Sequence, residues 1–496
     1  MNYCELLFDI EAIYLDNKAI IDAENSRRLS YRELQEEVLK VAAYLRGKGY
    51  KPGTVISSHL YNSAEAVIVL LAVQYIGCVI CLVDPLFKPG ELSYYISDSK
   101  SKCLITYLQP GETQFEPGME PDIVNVLEVE EVCKNSISNI ITRQEMYHFE
   151  NNELAMLLYT SGSTSTPKGV MLTTGCFYTF LKKSNTSMYR YVPEDRLLCY
   201  VPFSHGFGSI SLLIPSLVGR AAIVFLRSFQ PTKVANAIAN EHITHIFGVP
   251  THYQQLLRYE SIYNELRKLK AAFCAAAPLS SDTALSWYKS IGIYLDEGYG
   301  ITEVTTLIAT RMSMLPEPSG NVGFPPKNIL TVEAANEDGL ACEDGIIGEI
   351  RVTGPGLMLG YLNRPDETAD RLRNGWFYTG DLGYRKSDGS FVICGRKTEF
   401  INVAGLKITP IEIEAILNAH PDVVDSAAIG VEDGVYGEIV KAFVVRKDNT
   451  NISERDLIKY LSGKLANFKV PKYIVFLDEF PRNNIGKIDK KALKNL

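Results

Sequence analysis

The sequence lacks a disulfide pattern, a basic excess, an uninterrupted apolar run of membrane length and any low-complexity tract, and each lack removes a class of protein. Its ten cysteines are scattered from Cys4 to Cys394 without framework spacing, which excludes a stapled secreted domain and suits a reducing compartment. Cys78 and Cys81 form the one CxxC; they sit in an apolar run with no second pair nearby, so they read as core residues rather than as a redox or zinc site. Fifty basic side chains face 58 acidic ones, and the net charge of −8 carries no whole-protein attraction for nucleic acid or anionic lipid. The start, Met-Asn-Tyr-Cys-Glu, has no basic segment, so no secretory signal is expected and the cytoplasm is the expected location. The longest apolar stretch, 66–83, approaches the ~20 residues of a membrane helix, but Gln74 and Gly77 interrupt it. It predicts a helix capped near Gly77 and then a buried strand ended by Asp84-Pro85, so no transmembrane segment is expected.

What is present is a chain of 496 residues, 46% hydrophobic and 22% charged, enough for a globular body of several domains. Strand-like runs at 54–60, 79–83 and 102–106 alternate with helical stretches at 31–48 and 89–99, which predicts βα units around largely parallel sheets. From about residue 330, short strands at 349–353, 376–378 and 391–394 are separated by Gly, Asp and Asn turns, as in a small β-rich subdomain. After Gly395 the order becomes helix (410–417), strands (423–431 and 439–446) and a helix opened by the capping box Ser453-Glu-Arg-Asp456, with Leu457, Ile458, Leu461 and Leu465 on one face. The expected fold class is α/β: a large N-terminal body of two α/β subdomains plus a small β-rich subdomain, then a C-terminal α+β domain. The expected domains are 1–396 and 397–496.

The strongest local signal is Leu157-Leu-Tyr-Thr-Ser-Gly-Ser-Thr-Ser-Thr-Pro-Lys-Gly169, an apolar strand running into a loop of hydroxyls and small residues closed by a lysine. Such a loop can wrap N–H groups and hydroxyls around a polyphosphate while Lys168 adds a point charge. It is not a Walker A sequence: Pro167 stands where a glycine precedes the lysine, and Gly169 replaces the Mg²⁺-binding Ser/Thr. Taken alone, the loop also reads as a Ser/Thr-rich surface turn.

Together with Asp296-Glu-Gly-Tyr-Gly-Ile-Thr-Glu303, Trp376-Phe-Tyr-Thr-Gly-Asp-Leu-Gly383, Gly395-Arg396 and Asn484-Ile-Gly-Lys-Ile488, the loop resembles the adenylate-forming superfamily of acyl-CoA synthetases, luciferases and peptide-synthetase adenylation domains, closest to stand-alone acyl- or aryl-CoA ligases. The resemblance covers almost the whole chain in the family's order. It implies that an acid and ATP give an acyl-adenylate and pyrophosphate, and that the acyl group then passes to a thiol. It further implies that Thr160, Ser161, Gly162, Ser163, Thr164 and Lys168 hold the β- and γ-phosphates, Thr302 meets the α-phosphate and Glu303 holds Mg²⁺ as an oxygen ligand. Tyr299 would stack on adenine between the small residues Ala276, Ala277, Pro278, Gly298 and Gly300. Asp381 would take the ribose hydroxyls with Arg396 beside it. Lys487 would reach the carboxylate and α-phosphate, where losing one preorganised donor costs about 10²–10³ in rate. By the same resemblance the C-terminal domain is mobile: it swings about Thr398, presenting Lys487 for the first step and Gly405, Leu406 and Lys407 for the second. Singly, Asp381 also reads as a turn residue, Tyr299 as a core aromatic, Glu303 as a helix-start acid and Lys487 as a solvated charge; the mutual spacing carries the assignment. Thr398 and Ser165 depart from the family's usual Asp or Lys and Gly.

The resemblance places the acyl pocket at His205, Phe207, Gly248, Val249, Ala275 and Gly300, with Ile210 and Leu213 as further apolar lining, and makes His205 a gate. Gly206 stands where amino-acid-activating relatives carry an ammonium-binding Asp. Burying an unpaired ammonium is costly, so a fatty or aryl acid without an α-amino group is expected. The chain ends within ten residues of Lys487, which predicts a diffusing acceptor: coenzyme A, or the phosphopantetheine of a separate acyl carrier protein. The other readings are a nucleotide-binding relative without activity, a luciferase-like oxidative enzyme and a P-loop kinase or ATPase that would release ADP.

Overall fold

Helix starts follow capping chemistry. In the computed structural model, which describes residues 2, 4–107, 125–134, 143–160, 166–177, 190–305, 307–314, 320–404, 406–447, 450–482 and 488–496, the Ser30 side chain accepts from the Glu33 N–H while the Glu33 carboxylate accepts from the Ser30 N–H at 2.6 Å. Helix Tyr31–Gly47 follows, burying Leu34, Val38, Val41 and Leu45. Ser453 and Asp456 repeat the device ahead of helix Glu454–Ser462. Leu457 and Leu461 are buried on that helix; Leu465, expected on the same face, lies beyond its last residue and still packs into the same core. Ser63 caps helix Ala64–Tyr75, in which every residue but Glu65 is buried. Gly77 then turns the chain at φ +80, where a Cβ would fall 2.5 Å from the Tyr147 ring, and strand Val79–Leu82 begins. Cys78 and Cys81 are free and buried, and burial pushes both thiols up to about 12, as suits core residues. Among the described residues no helix is long and apolar enough to cross a membrane.

Three sheets build the N-terminal body. An eight-stranded sheet carries parallel neighbours Leu295–Gly300, Ala271–Ala275, His245–Gly248, Arg196–Cys199, Ala222–Phe225 and Lys18–Asp22, with antiparallel strands Leu307–Arg311 and Arg28–Ser30 at its edges. A seven-stranded sheet places Leu154–Thr160 beside Val79–Leu82 in parallel and Lys168–Thr173 antiparallel to it, with Gly360–Tyr361 at the edge. The third sheet is antiparallel and includes Gly348–Thr353, Trp376–Arg385 and Phe391–Arg396. Its middle strand is longer than the three residues 376–378 expected from the sequence. Gly380 and Gly383 read as breakers, yet Gly348–Thr353 pairs the strand as far as Gly383 and Phe391–Arg396 pairs it from Asp381 to Arg385. Asp381 therefore lies within a strand and is buried rather than in a turn.

One continuous apolar core runs through this body from Cys4 to Phe391. The C-terminal sheet, Val423–Asp433 against Gly437–Arg446 with Tyr473–Leu477 parallel to the latter, has a core of its own built on Ile413, Leu417, Ala428, Val444 and Leu461. Large parallel sheets whose strand ends face one crevice place ligands at those ends. Thr160 and Tyr299 sit at such ends, whereas Asp381 and Arg396 come from the antiparallel sheet.

Candidate active site

The chemistry-bearing side chains arrive from all three N-terminal sheets. Asp381 is 4% exposed. Its Oδ2 accepts the Tyr299 hydroxyl, and its Oδ1 lies 2.7 Å from Arg396 Nε. Strand register makes the second contact, because Asp381 and Arg396 are direct cross-strand partners. Thr379 completes the corner: its Oγ1 accepts from the Asp381 N–H at 3.0 Å, and its carbonyl accepts from Arg396 Nη1 at 3.3 Å. Burial, then the Asp381 charge, pushes the Tyr299 phenol well above its ordinary value, so it stays a neutral donor.

Tyr299 leads from strand Leu295–Gly300 into the turn Thr302–Val304, which carries half-buried Thr302 and Glu303. Glu303 Oε1 accepts from the Tyr361 hydroxyl at 2.8 Å. Around Tyr299 the backbone is kept bare. Gly298 has no space for a Cβ, which would stand 2.4 Å from the Phe273 ring, and Ala276 holds φ +72 next to Ala277 and Pro278. A non-glycine residue in that region stores strain, a feature that concentrates at ligand sites.

Lys168 is the register partner of Thr160 at the neck of the Ser/Thr hairpin, and only 11% of its side chain is exposed. Its ammonium pairs with Glu367 on helix Pro365–Arg371 and stands 5.4 Å from the centre of the Tyr361 ring. The hydrogen bond from Lys168 is the main cause holding Glu367 below its ordinary value. At the positions where the resemblance placed a pocket, His205 Nε2 lies 3.7 Å from Asp84 Oδ2. Phe207 meets Phe247 and Phe273 at 6.5 and 6.4 Å between ring centres, and Val249 and Ala275 are buried beside them. Gly248 backs onto a filled space: a Cβ there would sit 2.9 Å from the Tyr200 hydroxyl and 3.1 Å from His252 Nδ1.

The structure thus brings Thr160, Lys168, Thr302, Glu303, Tyr299, Asp381 and Arg396 onto connected elements. Ser161, Gly162, Ser163, Thr164, Ser165, Gly405 and Lys487 lie outside the described residues, as does the Lys407 side chain. Thr398 is exposed in the turn after strand Phe391–Arg396, and Leu406 is half exposed. Sequence reasoning missed Tyr361, Glu367, Thr379 and Asp84. A signal existed for two of them: Gly360-Tyr361 precedes a Pro-started helix carrying Glu367, which is a strand-to-helix turn of the kind that builds sites.

Residues 11–362 match the AMP-binding enzyme family and residues 412–487 match the AMP-binding enzyme C-terminal domain. The chain is 28% identical to a long-chain-fatty-acid–CoA ligase of Bacillus subtilis (strain 168), over 98% of this chain and 93% of that protein. It is 31% identical to a feruloyl-CoA synthase of an Amycolatopsis species, over 94% and 93%. ATP-bound MatB from Rhodopseudomonas palustris superposes with a TM-score of 0.91 at 28% identity, covering 100% of this chain and 99% of that one; apo MatB superposes at 0.80, also at 28% identity and with the same coverage. The o-succinylbenzoate CoA synthetase of B. subtilis in complex with ATP and a magnesium ion gives 0.85 at 26%, covering 99% of each chain. The chain belongs to the AMP-binding enzyme family, the adenylate-forming enzymes. Within that class it is an AMP-forming acid–thiol ligase of the acyl-CoA synthetase type.

Proposed function

We propose that the protein joins a fatty or aryl carboxylic acid without an α-amino group to coenzyme A in two steps at one site. In the first, a carboxylate oxygen bonds to the α-phosphorus of ATP and the bond to the β-phosphate oxygen breaks, giving acyl-adenylate and pyrophosphate. In the second, the thiol sulfur bonds to the acyl carbon and AMP leaves. The observation that carries this reading is the buried Asp381 carboxylate, held by Tyr299 and Arg396 beside the bare backbone at 276–278. It suits the paired hydroxyls of a ribose, with the Tyr299 ring and the bare 276–278 backbone set for the base.

Each remaining residue has a physical task. Lys168 and the Thr160–Lys168 neck put positive charge and donors near the distal phosphates, and Thr302 offers a hydroxyl close to Tyr299 for the proximal one. Glu303 fits Mg²⁺, a hard cation that takes one protein carboxylate plus phosphate oxygens; among the described residues no cluster of three His, Cys, Asp or Glu competes for it. Bound there, Mg²⁺ would offset phosphate charge. His205, beside Asp84, sits where the acyl group would enter, and Phe207, Val249, Ala275 and Gly300 would line an apolar slot. Gly206 supplies no charge to match an ammonium.

The domains we assign are 1–396 and 397–496, with Thr398 as the hinge, Lys487 as the lysine of the first step and Gly405, Leu406 and Lys407 serving the second. Two observations support that arrangement. Burial, and then the charge of Arg482, five positions before Lys487, pushes His252 in the N-terminal body down to about 3, so Arg482 lies within electrostatic reach of that body. The superposition is also tighter on ATP-bound than on apo MatB. The test is acid-dependent ATP–pyrophosphate exchange across fatty, aryl and amino acids, with mass spectrometry of the products formed with coenzyme A. Exchange with an apolar acid and none with amino acids is expected, and ADP as product would overturn the proposal.

A further inference from the structure

We propose that Tyr361 is a positioning residue that ties Lys168 and Glu303 into one unit and aims the Glu303 carboxylate at the divalent cation accompanying ATP. This rests on reading Glu303 as the cation's ligand. The Tyr361 side chain touches two motifs that are far apart in the sequence. Its hydroxyl donates to Glu303 Oε1 at 2.8 Å, and the centre of its ring lies 5.4 Å from the Lys168 ammonium. The residue is 6% exposed and clamped at its backbone: Tyr361 pairs with Val170 next to the phosphate hairpin, and its N–H donates to Thr368 Oγ1 at 2.9 Å. Gly360, at φ +152, feeds it into place, and a Cβ there would meet Thr368 Cγ2 at 2.9 Å. The preceding segment also grips Glu303 from behind, because the Met358 N–H donates to the Glu303 carbonyl at 2.8 Å.

A phenol is well suited to this task. As a neutral donor it fixes one carboxylate oxygen without cancelling the negative charge that a cation needs, which a Lys or Arg at the same place would do. It leaves Oε2 available. Its ring face, negative by quadrupole, is compatible with the ammonium of Lys168, and Glu367 holds that ammonium from the other side. Lys168 is thereby kept from collapsing onto Glu303, so the charge pair stays split, one member for phosphate and one for metal. Groups that orient a metal ligand in this way typically contribute about 10–100-fold in metal affinity.

The test uses the full chain with Tyr361→Phe, which keeps the ring and removes only the donor. Mn²⁺ binding to the enzyme–ATP complex is read from the free-Mn²⁺ electron paramagnetic resonance signal, and ATP binding is read separately in EDTA. The expected result is Mn²⁺ affinity weakened about 10-fold or more with metal-free ATP binding unchanged. Mn²⁺ affinity equal to wild type would overturn the proposal, and so would an equal loss of ATP binding in EDTA, which is what a mere packing role gives. Glu303→Gln separates the two layers. If it leaves Mn²⁺ affinity untouched, the cation reading of Glu303 fails and takes this inference with it; if it weakens Mn²⁺ while Tyr361→Phe does not, only the positioning role fails. The double variant should bind Mn²⁺ no more weakly than Glu303→Gln alone, because the two groups act as one; additive losses would count against the coupling.

Discussion

Asp381→Asn perturbs the nucleotide site with the least change of shape. The carboxylate has both oxygens engaged, one by Tyr299 and one by Arg396 at 2.7 Å, and the residue is 4% exposed. Asparagine keeps one acceptor oxygen and turns the other position into a donor, so one of two ribose hydroxyl bonds is lost. A hydrogen bond to a charged group contributes about 1.5–3 kcal/mol. At 1.4 kcal/mol per tenfold, kcat/KM for ATP should fall about 10- to 150-fold. Arg396 loses its counter-ion, but half of that side chain is in water, so the further cost is within about 1 kcal/mol. The assay is pyrophosphate exchange at saturating acid with ATP, 2′-deoxy-ATP and 3′-deoxy-ATP. In wild type, removing either hydroxyl should cost a similar factor. In Asp381→Asn, the deoxy analogue whose bond has already gone should cost less than about threefold, the signature of coupled groups. Full additivity for both analogues would refute the assignment of Asp381 to ribose.

Other sites yield predictions of stability. Glu297 and Arg311 form a buried pair at 2.9 Å with side chains 7% and 4% exposed, so Glu297→Ala should strand the guanidinium and cost about 3–5 kcal/mol in urea unfolding. Gly298→Ala should cost about 1–3 kcal/mol by driving a methyl into Phe273 and Leu307, and should raise KM for ATP by moving Tyr299. The bidentate Arg28–Glu241 contact holds Glu241 below its ordinary 4.5, the hydrogen bond from Arg28 being the larger cause. A depressed carboxyl pKa adds stability above 4.5 that is lost as pH falls through the folded-state value. Glu241→Gln should therefore be less stable than wild type by about 1 kcal/mol at neutral pH, the figure being small because Arg28 is 43% exposed, and the difference should vanish as pH falls below the folded-state value.

Local rules account for much of what could be read from the chain. The Ser453 cap and the break at Gly77 stand as expected, and the strands expected at 79–83 and 102–106 form at Val79–Leu82 and Cys103–Thr106; all are consequences of neighbours within a few residues. The fold class was legible from element order and resemblance together. Strand Trp376–Arg385 was underestimated because its glycines lie in a stretch where the register shifts against both neighbours without ending the pairing, which depends on segments distant in sequence. The motif residues were legible because polyphosphate and ribose chemistry restricts which side chains can serve. Tyr361, 58 positions from its partner Glu303, and Asp84, facing His205 from another sheet, were not. Their roles arise from packing between distant segments, and no periodicity or spacing marks them. The same holds for Glu297, which sits inside a quoted motif yet turns away to pair with Arg311.

Labelled oxygen tests the central step most directly. With an acid carrying ¹⁸O in both carboxylate positions, ATP and coenzyme A, attack of the carboxylate on the α-phosphorus followed by thiolysis at the acyl carbon leaves one ¹⁸O in AMP and none in pyrophosphate. Label found in inorganic phosphate alongside ADP, or AMP formed without label, would contradict adenylation at this site.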